Sequence, residues 1–309
     1  MTFNTNAEER CGYVVSHEMK LVWEAEVDLL SQLIEVCRKH QLRCWVDGGT
    51  LLGTVRHQGF IPWDDDIDVC MLRADYDRLL SIGNSAFHHP YFLQSAYSDK
   101  DYYRGHAQLR NSETAAVRPS DAYRPFNQGI FIDIFVLDAV PDDPQRLAHV
   151  LKEAHRTFKF LKAKDTPILV SGRWGLVFRK LKSKLTVKKR GWATIYKEAE
   201  DLLRSASLEQ CQYVAELGFS ADDILFDKHI FDETLWMDFE NIKVPVPAGY
   251  DKFLRTQYGD DYMTPQKAPS YHGELVFSTQ QSYRDLLPDI QKQYRRSAFN
   301  RLKNKLLKK

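Results

Sequence analysis

The chain has 309 residues, 43% of them hydrophobic and 28% charged, with a formal net charge of +1. That length supports a substantial core in one or two domains, and the composition is that of an ordinary globular protein. It holds no run of about 18 uncharged apolar residues, which argues against a membrane-spanning helix. The opening MTFNTNAEERCG has no basic region followed by an apolar core, so a secretory signal is not expected. Five cysteines at 11, 37, 44, 70 and 211 are scattered without metal-ligand spacing, which reads as the reduced thiols of a cytosolic protein.

Taken in chain order, residues 17–40 repeat apolar positions at the spacing of an amphipathic helix packed on one side. LRCWV follows as a short strand running into Asp47-Gly48-Gly49, and TLLGTV opens a second helix with Thr50 as its candidate cap. GFIPW is a turn. In DDDIDVCML the alternation of a strand puts Asp66, Asp68 and Cys70 on one face and Ile67, Val69 and Met71 on the other. Residues 73–82 read as a helix, and YFLQSAY and GHAQLR as short strands. GIFIDIFVLDAV is a second strongly β-like run, in which Asp133 lies among apolar residues. Residues 145–215 are mostly helical, interrupted near Pro167 and Gly172, and Pro245 and Pro247 exclude a central strand at their position. Two segments are strongly basic: 179–190 holds seven Lys or Arg, and 292–309 holds eight, neither with an acidic residue. The rest of the chain is therefore strongly acidic.

Four aspartates at 64, 65, 66 and 68 repel one another, and charge beside apolar strands is costly to desolvate. Either solvent relieves them, as in an acidic loop, or a divalent cation does. Mg²⁺ takes hard oxygen ligands from a few carboxylates together with substrate phosphate. Asp66 and Asp68 reach one ion from a shared strand edge, and Asp133 on a neighbouring strand is the natural third ligand, with Asp138 as a competitor. The alternative for Asp133 is a buried carboxylate paired with an arginine. Gly48-Gly49 at a helix start lets backbone amides approach an anion. Between glycines and aspartates, Arg56 has the planar fork that suits phosphate, and His57 is equally a catalytic group or a loop hydrogen-bonding residue. The set suits phosphoryl or nucleotidyl transfer.

GGTLLGTVRHQGFIPWDDDIDVCMLRADYDRLL, FIDIFVLD and FENIKVPVPAGYDKFLRTQYGDDYMTPQKAPSYHG together resemble the LicD family of bacterial enzymes that place phosphocholine on surface glycans, relatives of the fukutin-like ribitol-phosphate transferases. The resemblance covers most of 20–140 and 225–275. It implies a nucleotidyltransferase-like α/β (α+β) fold, a mixed sheet flanked by helices. With the chain-order reading, this divides the chain into a catalytic core over 17–144, a helical insertion over 145–220 that the resemblance does not cover, the rest of the catalytic unit over 221–290 and a basic amphipathic tail over 291–309. It also implies Mg²⁺- or Mn²⁺-dependent transfer from CDP-choline to a glycan hydroxyl, with Asp66, Asp68 and Asp133 as metal ligands and Asp64 and Asp65 as the acidic lead-in. Gly48, Gly49 and Thr50 then form the phosphate-proximal turn, and Tyr258, Gly259 and Asp260 shape a donor or acceptor pocket. Gln108 stands where the family often has a lysine, a charge Arg110 is placed to replace unless it is a surface arginine, and His272 falls where the family tends to have a histidine. For a quaternary ammonium, Trp63, Tyr102 and Tyr103 are the aromatic candidates. CDP-ribitol and CDP-glycerol remain alternative donors, and a glycan- or nucleotide-binding protein without catalysis is the alternative to an enzyme. No nucleic-acid recognition module is evident. The basic helices read as attracted to anionic lipid at the inner face of the cell membrane, where a lipid-linked acceptor would lie, or as solvated charged tails.

Overall fold

The computed structural model describes residues 2–163, 174–219, 224–267 and 275–307. The chain opens with a hairpin, β1 (Glu8–Arg10) and β2 (Tyr13–Val15), and a long helix, α1 (His17–Lys39), started by Ser16, whose side chain accepts from Met19 N. Next come β3 (Trp45–Val46), α2 (Gly48–His57), β4 (Asp68–Leu72) and α3 (Arg73–Ile82), followed by β5 (Tyr91–Gln94), β6 (Ala107–Asn111), β7 (Ala115–Val117) and β8 (Ile130–Ala139). Three helices follow, α4 (Pro144–Ala163), α5 (Trp174–Arg190) and α6 (Trp192–Leu203). The remainder is β9 (Tyr213–Ala215), β10 (Phe226–Asp227), the hairpin β11 (Thr234–Phe239) and β12 (Ile242–Pro247), α7 (Tyr250–Tyr258), β13 (Val276–Ser278) and α8 (Tyr283–Leu307).

Seven strands form a mixed sheet centred on β8. β4 runs parallel to β8 on one edge, with Asp68 opposite Asp133, and β3 pairs antiparallel beyond β4. On the other edge β6 lies antiparallel, with Gln108 opposite Asp133, and β5 follows it. The end of β8 pairs with β9, which carries β10. Every residue of β8 is buried, as expected of a central strand covered on both faces. Pro245 and Pro247 lie in β12, whose partner is β11 in a separate two-stranded ribbon, where a missing amide costs no central ladder bond.

The main core runs from α1 (Trp23, Leu29, Leu30, Leu33) across β4 and β8 to Phe231, Phe239 and Phe253. A second core joins α4 and α6 to Tyr103 and Val140, and a small third one seats α8 on β7. Among the described residues no helix is long and apolar enough to cross a membrane. The five cysteines are unpaired. The interruption expected near Pro167 and Gly172 lies outside the described residues.

Asp138, weighed at sequence level as a metal ligand, is instead structural: Arg73 Nε and Nη2 each donate to it at 2.7 Å, tying the first turn of α3 to the end of β8. Removing one partner of a buried ion pair strands the other charge. Arg73→Ala is therefore expected to cost about 3–5 kcal/mol in urea unfolding. Arg73→Met with Asp138→Leu is expected to recover most of that loss.

Candidate active site

Three aspartates of the acidic run precede the strand instead of sharing it. β4 begins at Asp68, so Asp64, Asp65 and Asp66 occupy the loop before it, and the expectation of Asp66 and Asp68 side by side on one strand is corrected. Three successive like charges are better tolerated in a partly solvated loop than on a covered strand. The loop is pinned from outside: Trp23 Nε1 donates to Asp64 O at 3.0 Å, and Trp23 stacks on Phe60 at 4.4 Å between ring centres. Glu240 accepts from Phe60 N and from both terminal nitrogens of Arg10.

The start of α2 faces this loop. Its cap is Asp47, whose side chain accepts from Gly48 N, and not Thr50. Thr50 is buried one turn in, and its Oγ1 accepts from Asp68 N at 2.9 Å, so it fixes the head of β4. The two glycines make room for carboxylates. A Cβ on Gly49 would stand 2.6 Å from Asp64 Oδ2, and one on Gly48, where φ is +50°, would stand 3.4 Å from Asp68 Oδ2 and 3.9 Å from the Tyr258 hydroxyl.

Among the described residues, the carboxylates of Asp64, Asp65 and Asp66, each half-buried, can bring ligand atoms within 4.8 Å of one another. The expected trio Asp66, Asp68 and Asp133 does not form such a set, although Asp68 and Asp133 are direct neighbours across the sheet. Burial, then repulsion from Asp66 and its other neighbours, pushes Asp64 and Asp68 well above the usual carboxylate range. Burial likewise raises Asp66 to about 7. Sequence reasoning missed Glu26, Asp47 and Glu216. Burial raises all three, with Asp66, Asp65 and Asp64 adding to Glu26 and Asp47 adding to Glu216. Glu26 had a signal, a charge on the apolar face of α1, and Asp47 is a capping residue directly before the glycines; Glu216 had none.

Asp133 differs. Burial alone would raise it, but the His106 imidazole at 3.0 Å, Arg104 and the Gln108 amide hold it at about 2. Gln108 Nε2 donates to Asp133 Oδ1 at 2.6 Å, and Arg110 Nη2 donates in turn to Gln108 Oε1. Arg110 is buried behind Gln108, its other donors engaged by Gln94 and Gly129 O, which settles it as an interior residue and not a surface one. His106 was not singled out from the sequence; it sits against Phe135 and Phe219 at 4.9 and 5.1 Å between ring centres.

Most of the remaining expected residues are buried or engaged by other partners. Arg56 Nη1 donates to Tyr262 O at 2.7 Å, securing the segment after α7. His57 ends α2, about 13 Å of helix rise from Gly48, and burial with Arg56 and Arg10 nearby lowers it to about 4, so it is neutral at pH 7. Tyr102 is fully buried with Arg104 already over its ring at 5.5 Å, and Tyr103 is buried against Trp192, so neither offers a face to a ligand. Trp63 is only partly buried and meets Tyr13 edge-on. Burial and then Asp47, Asp68, Asp64 and Asp66 raise the Tyr258 phenol, placing it beside the cluster. Gly259 ends α7 at φ +86°, and the exposed Asp260 pairs with Arg255. His272 lies outside the described residues.

A mixed sheet sets a carboxylate cluster against a glycine-opened helix start, an arrangement that suits phosphoryl or nucleotidyl transfer. Residues 41–160 match the family described as LicD/FKTN/FKRP, nucleotidyltransferase domain, and the chain carries that domain. Over 273 residues it is 28% identical to the lipopolysaccharide cholinephosphotransferase LicD of Haemophilus influenzae, covering 83% of this chain and 94% of that protein. Shorter stretches match uncharacterized proteins of Rickettsia prowazekii, 43% identical over 54 residues (18% of this chain, 20% of that one), and Rickettsia typhi, 45% over 80 residues (21% and 26%).

The donor set fits a divalent cation: hard carboxylate oxygens of like charge, close together. Asp66, raised to about 7 from 3.8, contributes stability that is complete below pH 3.8 and lost as pH rises through 7. The opposite contribution of Asp133 changes only between 3.8 and about 2. Thermal melts should therefore show the metal-free protein weakening from pH 5 to pH 8, and Mg²⁺ or Mn²⁺ raising Tm more at pH 8 than at pH 5. Gly49→Ala gains helix propensity of about 1 kcal/mol yet displaces Asp64. It is expected to keep its stability while losing about tenfold or more in Mn²⁺ affinity by titration calorimetry.

Proposed function

We propose that this protein transfers phosphocholine from CDP-choline to a hydroxyl of a cell-surface glycan, such as a lipopolysaccharide, teichoic acid or capsule precursor, and releases CMP. The observation that carries this reading is the similarity to the Haemophilus influenzae cholinephosphotransferase, which runs through 94% of that protein instead of stopping at one motif. The acceptor oxygen forms a bond to the choline-bearing phosphorus as its hydroxyl proton passes to a carboxylate of the site, the bond from that phosphorus to the bridging oxygen breaks, and CMP leaves with the electron pair.

Asp64, Asp65 and Asp66 would hold Mg²⁺ or Mn²⁺, with Asp68 and Asp133 behind them; when bound, the metal supplies positive charge for the donor diphosphate and for CMP as it departs. The chain contributes the rest. Gly48 N is taken by the Asp47 cap, so the next amides of the first turn of α2, at Gly49 and Thr50, would be the ones offered to a phosphate oxygen. Thr50 holds Asp68 at the head of β4. His106 and the Gln108–Arg110 pair keep Asp133 ionised and oriented. Trp63, beside Asp64, is the aromatic face in reach of a choline headgroup.

A polyol-phosphate donor, CDP-ribitol or CDP-glycerol, is the second reading, favoured by the burial of Tyr102 and Tyr103, which leaves few ring faces for a quaternary ammonium. The experiment measures CMP release from the three donors with extracted glycan, with and without divalent cation. CDP-choline is expected to give metal-dependent release that Asp68→Ala lowers by more than about a hundredfold. Release from a polyol donor alone would install the second reading. An unchanged rate in Asp68→Ala would remove the aspartates from the chemistry, and binding without release from any donor would favour a non-catalytic glycan-binding role.

A further inference from the structure

α5 is fixed on one side and uncovered on the other. Its inner side is set by Ser183, buried and donating to Phe160 O of α4 at 2.8 Å, and by Val187, packed on the α4–α6 core. At about 100° per residue, Phe178, Leu181 and Leu185 fall on the opposite side within about 60° of one another. They are 70%, 56% and 60% exposed. Lys184 and Lys188 flank this stripe on one side and Lys182 and Lys189 on the other, all four exposed. From Arg179 to Arg190 the helix has seven basic residues and no acidic one.

A helix that was merely solvated would have no reason to aim a phenylalanine and two leucines at water along one line. Two copies of α5 set face to face would oppose seven cations with seven. A narrow apolar band bordered on both sides by lysines fits a flat anionic surface with an apolar interior, because the lysine stems can lie along the band while their ammonium groups reach the phosphates. We propose that α5 is a peripheral membrane anchor, with Phe178, Leu181 and Leu185 entering the headgroup–acyl boundary of an anionic bilayer and the four lysines meeting lipid phosphate. This would hold the protein at the membrane surface without any helix crossing it.

The test is co-sedimentation of the full chain with vesicles of mixed phosphatidylglycerol and phosphatidylcholine, against vesicles of phosphatidylcholine alone. The substituted residues point outward, and far-UV circular dichroism with a thermal melt checks that each variant folds. The wild type is expected to sediment with the anionic vesicles and to be released by high salt. Phe178→Ser with Leu181→Ser and Leu185→Ser is expected to lose at least about tenfold in partitioning. Changing Lys182, Lys184, Lys188 and Lys189 to glutamine is expected to lose up to about fivefold for each charge. Failure of the folded wild type to sediment with anionic vesicles would overturn the proposal. So would undiminished binding by both variants, which would place the contact elsewhere, for example at the basic end of α8. A dimer in sedimentation velocity that the serine variant abolishes, without vesicle binding, would assign the stripe to a second copy of the chain instead.

Discussion

Like charge gathered at the head of β4 is the constraint around which the catalytic half of the chain is arranged. Asp64, Asp65, Asp66 and Asp68 come from one loop and strand, Asp133 from the adjacent strand, Glu26 from α1, Asp47 from the cap of α2 and Glu216 from beyond β9. Burial and mutual repulsion raise most of this set, so protons or a cation must supply the missing positive charge. The glycines that open α2 belong to the same arrangement, since a side chain on Gly49 would occupy the space of an Asp64 oxygen. The geometry concentrates negative charge where a divalent cation would relieve it, and the apolar packing of Trp23 on Phe60 holds the loop there against its own repulsion.

Asp133 has basic side chains packed around it. His106 and Arg104 approach Asp133, and Arg110 reaches it through Gln108. The departure at Gln108, where the resembled family often carries lysine, thus becomes intelligible: the cation is set one residue further back and its effect passes through a neutral amide. Asp133 is thereby held well toward its ionised form, while burial and mutual repulsion push Asp64, Asp66 and Asp68 the other way.

Away from that site, the helices inserted between β8 and β9 build their own core on Val150, Phe158, Tyr196 and Leu203 and meet the sheet at Val140 and Ala215. This leaves α5 with one face buried and one apolar face outside, a distribution that its composition alone does not require. The ion pair of Arg73 with Asp138 joins α3 to the far end of β8, so the carboxylate nearest in sequence to Asp133 supports the frame and not the chemistry.

Much of this was legible in the residues. The helical period of α1, the alternation in β8, the prolines of β12 and the spacing of glycines, aspartates and Asp133 are local patterns, and local patterns are read from sequence because side-chain direction follows backbone period. The similarity of 48–80 to one family, supported by 131–138 and 239–273, carried the class of chemistry as well. Tertiary structure alone decided which carboxylates meet. Asp66 left the strand because three adjacent charges need solvent, Thr50 turned inward to bind Asp68 N, and His106, just before β6, and Glu216, just after β9, joined the site with no mark of their own. Arg110, Tyr102 and Tyr103 went the other way, into the interior: Arg110 lies in β6 between β5 and β8, Tyr102 packs on Phe126, and Tyr103 packs on Trp192 of α6. The sequence by itself determined the elements and the acidic run; the ligand set, the partners of Asp133 and the uncovered face of α5 depended on which surfaces the packed chain brought together and which it left outside, and those are properties of long-range contact that no local pattern encodes.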